Sequence, residues 1–135
     1  MTIGFGRTGV DEPGTDVLMN VSAKYINNES CDAIWEAEWT KDMIDESMIC
    51  TINENPYRNA CFGDSGGPLY DREANRLVGV VSWGDLECES FPVVYGRVAG
   101  VVSSFILENS CWLRSFLTRF PYSNPSLNGS QTLFV

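Results

Sequence analysis

The residues that could do chemistry lie at positions 63–68, which read Gly-Asp-Ser-Gly-Gly-Pro. The hydroxyl of Ser65, set among small residues, could act as the nucleophile of an acyl transfer. A serine hydroxyl is a poor nucleophile until a neighbouring base takes its proton, and that base is most often a histidine. The chain of 135 residues contains no histidine. The sequence therefore offers a candidate nucleophile without its usual base.

Composition and charge limit the class of protein. A hydrophobic content of 44% with 20% charged residues is typical of a single globular domain. The net charge of −9 argues against nucleic acid or an anionic membrane as a partner, because both would repel the chain. No apolar run reaches the ~18 residues of a transmembrane helix, so no membrane span is expected.

The cysteine content points to export. Five cysteines in a chain of this size favour an oxidising compartment, and glycosylation sequons at Asn20, Asn28 and Asn128 are compatible with secretion. The first residues nevertheless lack the apolar stretch of a signal peptide. This combination predicts that an amino-terminal part of a longer protein is missing from the sequence.

Short strands separated by turn residues predict an all-β fold. Residues 18–26, 77–83 and 92–98 are strand candidates, bounded by clusters of Gly, Asn, Asp and Pro. Helices are predicted over residues 30–44 and over residues 98–109, where apolar residues recur at helical spacing. Residues 111–135 change character and predict a partly flexible C-terminal extension.

The octapeptide at 61–68, Cys-Phe-Gly-Asp-Ser-Gly-Gly-Pro, resembles the nucleophile loop of trypsin-like (chymotrypsin-fold) serine proteases. Flanking motifs resemble the same family: Gly-Phe-Gly-Arg-Thr at 4–8, Met-Ile-Cys at 48–50, Ser-Trp-Gly at 82–84 and Pro-Val-Val-Tyr at 92–95. The resemblance covers about residues 2–110 and matches only the C-terminal half of the family's two-barrel unit. It implies a six-stranded antiparallel barrel with a C-terminal helix over residues 1–110, followed by the extension.

The resemblance also implies roles for the residues of the loop. Ser65 would be the nucleophile of a serine endopeptidase acting through an acyl-enzyme, and the N–H groups of Gly63 and Ser65 would form the oxyanion hole. Asp64 would bury its carboxylate against the free amino terminus of the activated enzyme. The catalytic His and Asp would come from the missing N-terminal barrel, so this chain alone should be inactive or nearly so. No cofactor and no metal ion are expected.

The positions of the specificity pocket depart from the tryptic pattern. Asn59 stands where cleavage after Lys or Arg needs a carboxylate, and a neutral amide cannot pair with a cation. Val93 replaces a glycine of one pocket wall and should narrow or block the pocket. The sequence predicts a preference for small or medium uncharged residues. The backbone of a polypeptide substrate would pair with three residues of one strand, Ser82, Trp83 and Gly84.

The family template implies two disulfides, Cys31–Cys50 and Cys61–Cys88, and a secreted protein. Sequence alone leaves three pairings open for four cysteines. Cys111 is the odd cysteine, which either pairs with the missing half or stays a free thiol.

Three explanations for the absent base stay open. The first explanation, which we favour, is that the chain is a truncated fragment or gene model of a secreted protease. The second explanation is a non-catalytic homologue that acts as a binding, decoy or inhibitor protein; Val93 favours it, and the intact Gly63, Ser65 and Gly66 oppose it. The third is a stand-alone interaction module, which would leave the apolar face between the two barrels exposed.

Overall fold

The computed structural model describes residues 1–37, 42–55, 58–99 and 101–110. Within these ranges it contains seven strands and two helices. The elements in chain order are β1 (Thr2–Gly4), β2 (Met19–Val21), β3 (Lys24–Ile26), α1 (Asn28–Glu36), β4 (Met48–Ile52), β5 (Pro68–Asp71), β6 (Arg76–Trp83), β7 (Val93–Arg97) and α2 (Val101–Asn109). The predicted extension at 111–135, with Cys111, lies outside the described residues.

The strands form a single antiparallel sheet in the order β2-β1-β5-β6-β7-β4-β3. The two ends of this sheet, β2 and β3, are separated in the chain only by Ser22 and Ala23. β2 pairs with β1 and β3 pairs with β4. The bend at residues 22–23 therefore joins the two edges and curls the sheet into a barrel.

The prediction of an all-β antiparallel barrel with a C-terminal helix is confirmed, with one difference in the strand count. The sequence predicted one strand over residues 18–26, whereas the structure divides that segment into β2 and β3. The division arises because the segment pairs with β1 before the bend and with β4 after it. The barrel thus has seven strands where the resemblance implied six.

The first helix ends earlier than the sequence predicted. α1 spans Asn28–Glu36, not residues 30–44. Its first turn is capped by the side chain of Asn27, which accepts the N–H of Ser30 at 2.7 Å. The carboxylate of Asp32 accepts the N–H groups of Met43 and Ile44 at 2.9 and 3.1 Å. Those N–H groups are therefore committed to a loop and cannot continue the helix.

The second helix begins later than predicted, at Val101. The N–H of Val98 donates to the carbonyl of Val78 in β6 at 3.1 Å. Val98 is therefore bonded to the sheet and is not part of the helix. Phe105 is 65% exposed, and the predicted apolar stripe does not bury it. Among the described residues, neither helix combines the length and the apolar content needed to cross a lipid bilayer.

The core consists of two clusters on opposite faces of the sheet, because successive side chains of β7 point to opposite faces. Val93 and Tyr95 point to one side of the sheet and pack with Leu69 and Val81. Val94, between them, packs on the other side in a cluster with Cys31, Trp35 and Cys50. One strand therefore anchors both the barrel interior and the layer that holds α1 against it.

Tyr95 links three strands inside the barrel. Its hydroxyl, in a side chain that is 1% exposed, shares hydrogen bonds with the hydroxyls of Thr2 at 2.8 Å and Thr51 at 3.2 Å. Burial raises the pKa of Tyr95, and the two hydrogen bonds oppose that shift. The neutral phenol is therefore the form that the fold accommodates.

Replacing Tyr95 with phenylalanine is expected to lower the free energy of unfolding by about 1–3 kcal/mol, because two buried threonine hydroxyls lose their partner. Urea unfolding followed by tryptophan fluorescence measures the change. The matched control is Tyr70→Phe, whose hydroxyl bonds Asn75 at an exposed turn and whose loss should cost under about 0.5 kcal/mol. Equal losses in the two variants would contradict the prediction.

Candidate active site

A tight turn before β5 presents Ser65 at the surface. The N–H of Gly67 donates to the carbonyl of Asp64 at 2.8 Å, and Gly66 takes the positive φ of 82° that this turn needs. On both sides the turn is fixed to β6: Gly66 donates to the carbonyl of Val81 at 2.9 Å, and Val81 donates to the carbonyl of Gly67 at 2.9 Å. The exposed side chain of Ser65 therefore stands on a firmly held backbone.

Gly63 adopts a conformation that favours glycine. Its φ is 97°, and a Cβ built there would lie 3.2 Å from the Cα of Gly6. Within the described part of the chain, the N–H groups of Gly63 and Ser65 donate to no protein acceptor, and both residues are exposed. Free backbone N–H groups beside a hydroxyl are the kind of donors that can stabilise an oxyanion.

The carboxylate of Asp64 holds the base of this turn. Its Oδ1 accepts the N–H of Gly6 at 2.9 Å, and its Oδ2 accepts the N–H of Cys61 at 3.0 Å. The carboxylate fits because the adjacent strand carries glycine: a Cβ at Gly4 or Gly6 would lie 2.0 or 2.5 Å from carboxylate atoms. Asp64 thereby ties the turn that carries Ser65 to the segment that follows β1.

A cavity of about 700 Å³ adjoins the same carboxylate. Its lining is mostly polar and includes Thr2, Asn20, Ser22, Asn53 and Asp64. The amino group of Met1 lies elsewhere, because it donates to the carbonyl of Tyr70 at 2.7 Å. Asp64 thus faces an open space into which another chain segment could reach.

A smaller cleft of about 240 Å³ opens beside Ser65. Residues 60–62 and residues 82–86 line it from two sides. Val81 and Val93 also line it, and both are buried, with 7% and 4% of their surface exposed. A Cβ on Gly84 would lie 3.8 Å from Cγ2 of Val93, so the two residues are neighbours in the lining of the cleft. The lining of the cleft is therefore largely apolar.

The outer part of β6 forms one side of the cleft. Val81 pairs with Tyr95 and Trp83 pairs with Val94, so Ser82 lies in a bulge with no partner in β7. Bulges commonly adjoin active sites, where they redirect the strand. The ring of Trp83 packs on that of Trp35 with centroids 5.0 Å apart. On the side of β5, the hydrogen bonds of β6 end at Val81, which leaves the following residues of β6 open to an extended peptide.

The family model named Trypsin matches residues 1–106. This chain belongs to the trypsin family. It is 38% identical to "Serine protease 1" of Drosophila melanogaster over 109 residues, which cover 79% of this chain and 38% of that protein. It is 37% identical to "Trypsin eta" of Drosophila erecta over 97 residues, covering 71% of this chain and 35% of that protein.

A human member of the trypsin family is similar to a shorter part of the chain. "Kallikrein-7" of Homo sapiens is 40% identical over 83 residues, which cover 60% of this chain and 30% of that protein. The chain thus spans somewhat more than a third of the length of the first relatives that it matches.

The structure holds two disulfides, Cys31–Cys50 and Cys61–Cys88, which are the pairs implied by the family template. The first connects α1 to β4. The second connects the nucleophile loop to the loop that follows β6, and both of its cysteines line the small cleft. Disulfides are typical of trypsin-family proteins made in an oxidising compartment.

The side chain of Asn59 is hydrogen-bonded to the segment that precedes β7. Its Nδ2 donates to the carbonyl of Glu89 at 2.6 Å and to that of Phe91 at 3.0 Å. Asn59 lines the larger cavity beside Asp64, and its neighbour Ala60 lines the cleft beside Ser65. The hydrogen bonds of the amide thus connect the base of the turn to the loop at 89–91.

Sequence reasoning gave no role to Phe62, which lines the cleft, or to Arg7, which contacts it. Phe62 is 47% exposed, and the guanidinium of Arg7 lies 5.6 Å from the centroid of its ring. The N–H of Arg7 also donates to the carbonyl of Phe62 at 2.9 Å. The signal that could have found Phe62 is its place in the nucleophile loop, where an aromatic side chain follows the disulfide cysteine. No sequence signal connects Arg7 to it.

Proposed function

We propose that this chain is the nucleophile-bearing barrel of a trypsin-family serine endopeptidase. The observation that carries the proposal is the juxtaposition, at the mouth of the cleft, of the exposed Ser65 hydroxyl with the free N–H groups of Gly63 and Ser65. Acyl transfer needs a nucleophile and oxyanion donors within reach of one carbonyl, and this loop provides both.

The proposed reaction needs a base from outside this chain. Because no histidine is present, the proton acceptor must come from another segment. We place it, as a histidine held by an aspartate, on an N-terminal barrel that precedes these residues in a longer protein. The chain alone is then inactive, since loss of a catalytic triad member costs on the order of 10⁴-fold or more in rate.

In the completed site, the Oγ of Ser65 bonds to the carbonyl carbon of the scissile peptide while its proton passes to the histidine. The electron pair of the C=O bond moves to the oxygen, which accepts from the N–H groups of Gly63 and Ser65. The C–N bond then breaks, and the histidine gives the proton to the leaving amine. Water then attacks the ester carbon and gives a proton to the histidine, the bond between that carbon and Oγ of Ser65 breaks, and the histidine returns the proton to Oγ as the acid leaves.

Asp64 is proposed to receive the amino terminus of the activated enzyme. Each of its oxygens accepts one N–H, from Gly6 or Cys61, and a carboxylate oxygen can accept a second donor. The cavity of about 700 Å³ offers an approach for an ammonium group. The ion pair would hold the turn in the form that exposes both oxyanion donors.

The substrate class follows from the small cleft. Its lining is largely apolar and includes the buried Val81 and Val93, so we propose cleavage after small or medium uncharged residues of a polypeptide. The substrate backbone would run along residues 82–84. Secretion is proposed from the two disulfides and the family.

Replacing Val93 with glycine in the completed enzyme is expected to open the inner end of the cleft. Specificity should shift by roughly tenfold or more toward larger uncharged residues such as Phe and Leu, because removed methyl groups leave room for them. A peptide library with varied residues before the scissile bond measures the shift. The control is Val80→Ala, a neighbour in β6 that is exposed and does not line the cleft. A dominant preference for Lys or Arg in the unmodified enzyme would contradict the proposed substrate class.

A second candidate function is a non-catalytic homologue that binds another protein as a decoy or inhibitor. The place of Val93 in the lining of the cleft, where its side chain would narrow a substrate site, favours it. The coding sequence upstream of this chain distinguishes the two candidates. An upstream segment like Ala-Ala-His-Cys, followed later by an Asp, supports the enzyme. An upstream barrel that lacks the histidine supports the decoy.

The proposal is tested by producing this chain together with its upstream barrel and measuring peptide hydrolysis. We expect activity against substrates with Ala or Val before the scissile bond, and none from the 135-residue chain alone. Complete inactivity of a completed protein that retains both His and Asp would overturn the proposal.

A further inference from the structure

Two of the three glycosylation sequons lie in the described part of the chain, and the structure places their asparagines in opposite situations. Asn20 begins Asn-Val-Ser in β2, and Asn28 begins Asn-Glu-Ser at the start of α1. The third, at Asn128, lies outside the described residues. An N-linked glycan needs an amide nitrogen that can give up a proton and a surface position where a large polar group stands in water.

The side-chain amide of Asn28 is committed to the fold at all of its polar positions. Its Nδ2 donates to the carbonyl oxygens of Asp45 and Met48, the second at 3.2 Å. Its Oδ1 accepts a hydrogen bond from the guanidinium of Arg97 at 3.3 Å. An amide nitrogen carries two protons, so a sugar on Nδ2 would replace one of them and displace a carbonyl acceptor. A chain with a glycan on Asn28 therefore cannot form the observed contacts between α1 and the segment before β4.

The side chain of Asn20 is exposed and points away from the interior of the barrel. Asn20 pairs with Ile3 of β1, and the next residue, Val21, pairs with Thr2. Thr2 is buried, and its hydroxyl shares a hydrogen bond with that of Tyr95 inside the barrel. Because side chains alternate along a strand, the pair of Asn20 and Ile3 faces the outer side. Within the described ranges the amide of Asn20 makes no hydrogen bond, so a sugar on its Nδ2 breaks no contact of the fold.

We infer that Asn20 is a site of N-linked glycosylation in the folded protein and that Asn28 is not. The inference rests on the proposed secretion, because the transfer takes place in the secretory pathway, and it does not depend on protease activity. In the transfer, Nδ2 of Asn20 bonds to C1 of an oligosaccharide carried on a polyprenyl diphosphate. The bond between C1 and the diphosphate oxygen breaks, Nδ2 loses one proton, and the lipid diphosphate is the leaving group. Ser22, which is exposed, supplies the hydroxyl that the sequon requires.

The two asparagines are separated by folding and not by the transfer itself. The transferase acts on the chain before folding is complete, so Asn28 is also accessible to it at that stage. A chain modified at Asn28 then lacks a hydrogen bond that the native loop uses, whereas a chain modified at Asn20 keeps every described contact. The folded, secreted fraction should therefore carry the glycan on Asn20.

The test maps the sugar on the chain secreted by cultured eukaryotic cells, with a cleavable signal peptide placed before residue 1. Trypsin separates the two sequons after reduction of the disulfides, because Lys24 lies between them. Release of the glycan by peptide-N-glycosidase in H₂¹⁸O converts each modified Asn to an ¹⁸O-labelled Asp, which mass spectrometry locates. We expect the occupancy of Asn20 to exceed that of Asn28 by about tenfold or more in the secreted protein, since lost hydrogen bonds disfavour the folded form modified at Asn28.

Two serine variants make a matched pair, since each removes the hydroxyl of one sequon and leaves its asparagine in place. Ser22→Ala should abolish the label on Asn20, and Ser30→Ala should leave that label unchanged. The hydrogen bond that caps α1 uses the backbone N–H of Ser30, so it survives the second change.

An unmodified Asn20 in the secreted protein, or equal occupancy of Asn20 and Asn28, would overturn the inference. Failure of the proposed function looks different, because a completed enzyme without hydrolytic activity still carries the glycan on Asn20. If the cells retain the 135-residue chain, the same map is made on the chain produced with its upstream barrel. The same two results would overturn the inference there.

Discussion

Replacing Ser65 with alanine in the completed two-barrel enzyme is expected to lower kcat by on the order of 10⁶-fold. The variant loses the atom that forms the acyl-enzyme, and the two N–H donors of the loop can stabilise an oxyanion only after a nucleophile has attacked. Steady-state hydrolysis of a peptide with Ala before the scissile bond measures the loss. The burst of the first product that accompanies acyl-enzyme formation should disappear as well.

The matched control for this variant is Ser30→Ala, which removes the hydroxyl of another exposed serine, in α1 and outside both cavities. Its kcat should stay within about threefold of the unmodified enzyme, as expected for a surface change away from buried groups. Retention of activity in Ser65→Ala to within about tenfold would contradict the assignment of the nucleophile, since triad losses are far larger.

Replacing Asp64 with asparagine is expected to destabilise the nucleophile turn. The two N–H groups of Gly6 and Cys61 now donate to separate carboxylate oxygens. An amide has one oxygen and one NH₂, so one N–H would face another donor and lose its partner. The expected loss is about 2–4 kcal/mol in the free energy of unfolding, because hydrogen bonds to a charged group are involved. Guanidinium unfolding of the chain measures it.

The same variant should lower the kcat of the completed enzyme by about 10²–10³-fold, because Gly63 and Ser65 flank Asp64 and displaced donors no longer meet the oxyanion. The control is Asp71→Asn, whose carboxylate also accepts two N–H groups, from Glu73 and Ala74, but at a surface turn. Its cost should be under about 1 kcal/mol with kcat unchanged. If both variants behave alike, Asp64 does not organise the turn.

The sequence contained enough to predict the barrel and the nucleophile loop, because local residue types dictate both. Gly63 and Gly66 adopt positive φ, which glycine tolerates and larger residues resist. Gly4 and Gly6 leave the space that the Asp64 carboxylate fills. Each of these positions requires glycine for a backbone or steric reason, and the glycines therefore form a motif that can be recognised in the sequence.

Other features depend on partners that are distant in sequence, and the residue types alone did not reveal them. The amide of Asn59 could face the cleft or the loop, and the choice is made by two carbonyl groups at Glu89 and Phe91. The early end of α1 reflects the acceptors that Asp32 offers to residues 42–44. The split of the strand at 22–23 comes from a change of pairing partner. In each case tertiary hydrogen bonding overrides the local pattern.

The central claim is that Ser65 is a nucleophile that becomes reactive only when another segment supplies the base. The most direct measurement is the rate at which a fluorophosphonate labels Ser65, with the modified residue identified by mass spectrometry. In the completed enzyme we expect labelling of Ser65 at a rate on the order of 10⁴-fold or more above that of the chain alone. Rapid labelling of Ser65 in the isolated 135-residue chain, or no labelling in a completed enzyme that carries the His and Asp, would contradict the account.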